Sequence, residues 1–146
     1  MQTLDGFFKR LSKKTAARWW VGPLPDVRTS KVSPVIAAQL SYPSGDFDPF
    51  VDGGMTQLNW SEAAYVLALA GTRSLAYGNK PPSDGVIAQA ADALKVLSGK
   101  TVFLTNGDWL PGRNHAWTPL SASTFDCGVI GYDETTAFIF WIEEED

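Results

Sequence analysis

The chain has one cysteine and one histidine in 146 residues. A single thiol excludes an internal disulfide framework, and a single imidazole excludes His-rich metal sites and two-histidine acid–base schemes. No apolar run reaches the roughly 18 residues that a membrane span needs. A secretory leader is not expected, because Lys9, Arg10, Lys13 and Lys14 stand where its apolar stretch would be. The phosphate loop G-x-x-x-x-G-K-[ST], the dinucleotide fingerprint G-x-G-x-x-G, the zinc helix H-E-x-x-H and the nucleophile elbow G-x-S-x-G are all missing. Asp46, Asp48 and Asp52 suggest calcium, but a calcium loop starting at Asp46 needs an oxygen ligand, a glycine and a glutamate where this chain has Phe50, Val51 and Gln57. No metal and no cofactor is expected.

What is present is an ordinary globular composition, 45 % hydrophobic and 19 % charged, from which one domain over residues 1–146 in a reducing, cytoplasmic compartment is expected. The net charge of −4 hides a division. Residues 1–31 hold seven basic residues and two acids, a balance of +5, while residues 32–146 hold five and fourteen, a balance of −9. The acidic bulk would repel nucleic acid and anionic membrane and attract a basic protein. The six tryptophans are not interleaved with basic residues as a nucleic-acid platform requires, Arg18-Trp19-Trp20 excepted.

The patterning predicts helices first and strands after. Leu4, Phe7, Phe8 and Leu11 share one face of a basic amphipathic helix assigned to residues 1–20, with Thr3 as its N-cap. Residues 22–34, with three prolines, read as loop, and 35–42 as a short strand. A long irregular loop spans 43–58. Two helices fill 59–98: Asn59 and Glu62 form a capping box for the first, and Gly99 closes the second. An antiparallel meander occupies 101–142, including a short strand at 115–118 and a hairpin at 133–135, with an acidic tail at 143–146. The fold class is α+β, with about three N-terminal helices packed on a C-terminal antiparallel sheet of four to five strands. The last strand, 137–142, is apolar on both faces, so both need covering.

Two groups of residues are candidates for chemistry. Cys127, His115 and Asp108 can be written as a thiol triad, but strand alternation places Cys127 with Phe125 and Val129 on the apolar face, where a thiol is inert. The loop 106–115 carries Asp108, Trp109, Arg113 and His115, and Trp and Arg are enriched in binding hot spots. Either these side chains face a partner, or Trp109 folds back on the sheet and Asp108 pairs with Arg113 to brace the loop. Counting strand reversals places this loop beside Asp133 and Glu134, and Glu143, Glu144, Glu145 and Asp146 at the opposite end as steering charges.

A small, acidic, aromatic-rich chain without catalytic motifs resembles the immunity and antitoxin proteins with which bacteria block toxins, a likeness of overall style that no motif carries. It implies a non-enzymatic inhibitor of a partner protein with a basic surface, binding neither nucleic acid nor membrane. Two alternatives stand beside it: a self-associating accessory domain that dimerises through strand 137–142, and a thiol enzyme using Cys127 and His115.

Overall fold

A computed structural model describes residues 3–13, 15, 17–42, 48–51, 54–72, 81–113, 116–123 and 125–144. In order, the elements are α1 (Leu4–Leu11), β1 (Arg18–Pro23), α2 (Thr29–Ala38), β2 (Thr56–Leu58), α3 (Trp60–Thr72), α4 (Asp84–Leu94), β3 (Val102–Thr105), β4 (Phe125–Tyr132) and β5 (Thr136–Glu144). The five strands form one sheet in the order β1-β5-β4-β3-β2, every pair antiparallel. The chain is α+β, as its patterning predicts.

The helices start where side chains can satisfy their first amides. The Thr3 hydroxyl accepts from the Gly6 amide at 3.0 Å, and Asp5 sits in the first turn of α1, where the helix dipole favours an anion. The Asn59 carboxamide accepts from the Glu62 amide while the Glu62 carboxylate accepts from the Asn59 amide, both at 2.9 Å, which is the reciprocal box the spacing announces. Ser83 caps α4 through the Val86 amide.

Two layers of side chains flank the sheet. On one face Leu4, Phe7, Phe8 and Leu11 of α1 pack with α3, α4 and the strand residues Cys127, Val129, Phe138 and Phe140. On the other face Val32, Ile36 and Ala37 of α2 pack with Leu120, Ile130, Ile139 and Trp141. Gly128 makes that second layer possible: a methyl group there would run into the Phe140 carbonyl and the Trp141 ring.

Five expectations are corrected here. The loop assigned to 43–58 gives way at its end to β2, whose Thr56–Leu58 pair with β3. The first helix ends at Leu11, and residues 18–23 form an edge strand, because Arg18-Trp-Trp-Val21 are β formers that pair with β5. Residues 29–38 are helical despite Pro34; the contacts of Val32, Ile36 and Ala37 with the sheet outweigh the lost backbone bond. α4 ends at Leu94 rather than near Ser98, and Gly99, with φ +69°, serves the loop that follows. The strand expected at 115–118 is not seen in its described residues, 116–118, which make a single bridge, Trp117 to Gly107, so the chain crosses from β3 to β4 in one long excursion. The homodimer through 137–142 is also set aside. β5 is bonded to β1 and β4, and Ala137 to Ile142 are buried beneath α1 and α2.

Candidate functional site

The single crossover from β3 to β4 decides which loops share an end of the sheet. Leu104 pairs with Ile130 and Phe125 with Glu144. The loop after β3 therefore lies at the end where β4 starts and β5 finishes. The turn 133–135 lies at the other end, about 25 Å away along the eight residues of β4. The count of reversals is thus corrected by one strand. Asp108, Trp109 and Arg113 belong to the end of the sheet where Glu143 and Glu144 stand, and not to the end of Asp133 and Glu134.

The loop is braced from within. The Asp108 amide donates to the Ala116 carbonyl and the Thr118 amide to the Asn106 carbonyl, each at 2.8 Å. Arg113 reaches Asp108 at 3.9 Å across the loop mouth. Trp109 is 2 % exposed. Its ring stacks on Trp117 at 5.6 Å, and Trp117 packs on Phe125 at 5.3 Å. An indole held this way cannot be a contact side chain, so the anchoring role expected of Trp109 is corrected to one in the core. Asp108 and Arg113 remain at the surface. His115, Glu145 and Asp146 lie outside the described residues, as do Asp46 and Asp52 of the calcium reading; Asp48 accepts from the Phe50 amide at 3.0 Å.

Beneath this end sits a buried carboxylate. Asp126 is fully buried, and it accepts from Asn106 Nδ2 (2.6 Å), from the Leu120 and Ser121 amides (3.0 and 2.7 Å) and from Ser121 Oγ (2.7 Å). Burial raises its pKa against the lowering effect of the Ser121 and Leu120 bonds. Asp126 thereby pins residues 120–121 and the foot of the 106–117 loop to one strand.

At the rim, Glu143 is a junction. Its Oε1 accepts from Arg18 Nη2 at 2.6 Å and from the Tyr42 hydroxyl, and its Oε2 from Ser123 Oγ at 3.0 Å. The Arg18 guanidinium also lies over the Tyr42 ring, 4.7 Å from its centroid. Burial pushes the Glu143 carboxyl up, but the bonds from Tyr42, Ser123 and Arg18 outweigh it and hold the group below its ordinary value. Glu143, expected as a free steering charge, is thus largely spent on its own fold. Tyr42 and Arg18 escape sequence reasoning because 101 and 125 residues separate them from Glu143. Asp126 did leave a signal, an acid inside an otherwise apolar strand.

At the far end, Asp133 is buried and fixes the hairpin. Its Oδ1 accepts from the Thr135 and Thr136 amides, both at 2.8 Å, and its Oδ2 from the Ser98 amide at 3.1 Å. Burial raises its pKa, and these backbone bonds more than reverse the effect, leaving it low. Glu134 is exposed. Cys127 is 0 % exposed, with its thiol pushed well up by burial and then by Asp126; no reagent or substrate reaches it in the folded chain.

Away from the sheet ends, a shallow cleft between α1, α3 and α4 is lined by Phe7, Arg10, Leu11, Thr72, Val86 and Gln89. Among the described residues no group of three or more His, Cys, Asp or Glu could hold a metal ion, and no helix is long and apolar enough to cross a membrane. No family model, curated protein or solved structure matches this chain.

Proposed function

We propose that the chain is a non-enzymatic protein-binding domain of the inhibitor kind, and that it engages a basic partner through the sheet end that carries Asp108, Arg113 and Glu144. One observation carries this reading. The β3–β4 crossover brings the described residues of the 106–117 loop and Glu144 to one rim, above a foundation fixed by Asp126. A braced rim that presents the carboxylates of Asp108 and Glu144 suits a basic protein surface, because preorganisation limits the ordering cost and charge speeds encounter. The burial of Cys127 weighs against the thiol-enzyme alternative.

The test uses the immobilised chain and a lysate of its source. Wild type should retain a basic protein, and its association rate should fall as salt rises. Asp108→Asn combined with Glu144→Gln should slow association several-fold. Glu134→Lys, at the far end, should leave it unchanged. If Glu134→Lys does the damage and the double variant does none, the rim is not the binding surface.

A further inference from the structure

β1 is an edge strand, and its hydrogen-bonding direction follows from the register. The Leu24 amide donates to the Thr135 carbonyl at 2.9 Å, and this pair continues the β1–β5 register in which Arg18 faces Trp141 and Pro23 faces Thr136. In an antiparallel ladder bonded pairs alternate. Gly22, Trp20 and Arg18 therefore bond inward to β5, while Trp19, Val21 and Pro23 turn their backbone groups away from the sheet. Proline fits this phase, since its missing amide falls on the outer side. Among the described residues nothing pairs with that side, so two amides and three carbonyls form an open template.

Basic residues outnumber acids around this edge. The Trp19 indole N–H donates to Asp5 of α1 at 2.9 Å, which fixes the helix beside the strand. Lys9 lies one turn after Asp5 on the same flank, and exposed Lys13 follows. Of the acids nearby, Asp5 accepts from that neutral indole and keeps its charge one turn from Lys9, while Glu143 is paired with Arg18; Asp26 lies beyond the strand's end. The first 31 residues carry +5 and the remainder −9.

We propose that the outer side of β1 is a strand-addition site for an extended acidic peptide segment of a partner. The peptide would bond to the Trp19 and Val21 backbone and set its carboxylates beside Lys9 and Lys13. Backbone pairing gives affinity without a pocket, and charge selects the partner. A second copy of this chain is disfavoured, because pairing β1 with itself would bring two +5 segments together. The site is independent of the acidic rim: it uses another strand and the opposite charge.

Amide hydrogen exchange on the full chain tests this. The probe is a capped peptide of alternating Glu and Val, about eight residues long so as to span β1. At saturation the Trp19 and Val21 amides should exchange at least about tenfold more slowly, while the already paired Trp20 and Gly22 amides should not change. The same peptide with Lys in place of Glu should have no effect. Val21→Pro removes an outward amide together with a side chain that packs on the core, and Val21→Ala removes the same packing but keeps the amide, so Val21→Ala should retain the response that Val21→Pro abolishes. Lys9→Glu with Lys13→Glu should weaken binding several-fold at low salt. No slowing with the acidic peptide, or equal slowing with the lysine peptide, would overturn the proposal. So would protection that rises with protein concentration in the absence of peptide, which would mean that a second copy occupies the edge.

Discussion

Cys127 and Asp126 are neighbours in β4 whose side chains point to opposite faces of the sheet, and their surroundings assign them opposite chemistry. Cys127 faces α3 and the Phe138 and Phe140 rings, where it acts as a small apolar filler. Asp126 faces the 118–121 crossing, where the Asn106 side chain and the amides of 120 and 121 replace the water it has lost. Strand alternation alone separates the two, which is why the inert thiol is readable from Phe125, Cys127 and Val129. Cys127→Ser should lower stability by roughly 1–3 kcal/mol, because a hydroxyl then lies in an apolar site. Thiol-reactive dye should label the wild-type chain only as it unfolds, and rapid labelling under native conditions would contradict the burial.

The elements that the sequence announces are those with their own caps. Thr3 and Asn59 with Glu62 each start a helix where the sequence places the cap, and Ser83 starts α4 in the same way. α2 has no side-chain cap and contains Pro34, so nothing local announces it; it exists because Ile36 and Ala37 find the sheet. The 106–117 loop makes the complementary point. Its composition reads as a binding loop, yet its largest side chain is fully used by the Trp109–Trp117–Phe125 stack. Trp109→Ala should therefore cost roughly 3–5 kcal/mol of stability, as for other large buried side chains. Urea unfolding measures this. A variant that keeps its midpoint while losing partner binding would restore the indole to the surface.

For the molecule as a whole, the carboxylates at the two ends of the sheet set the response to acid. Glu143 and Asp133 both hold their protons less tightly in the folded chain than in the unfolded one. Their stabilisation is complete above the ordinary carboxylate range and drains as pH falls through the lowered folded values. Asp126 works in the other direction: its raised pKa favours folding most below its ordinary 3.8 and loses that contribution as pH rises. The stability gap between wild type and Glu143→Gln should be widest near pH 7 and close below about pH 4. A gap that stays constant across that range would show that the Glu143 junction contributes no proton-linked stability.

Local rules sufficed for much of this chain. Periodicity and capping chemistry placed α1, α3 and α4, alternation placed Cys127 on the apolar face of β4, the unbroken apolar run of β5 called for cover on both faces, and charge counting exposed the basic start and acidic remainder. These are signals carried within a few turns of chain. Which loops share an end was not a local matter. A single bridge between Gly107 and Trp117, where a full strand was expected, reverses the parity of the meander and moves the acidic terminus from the far end to the side of the loop. The junction of Arg18, Tyr42 and Glu143 joins residues separated by more than a hundred positions. Only the tertiary structure decides such contacts, because their free energy comes from groups that meet after the strands have paired.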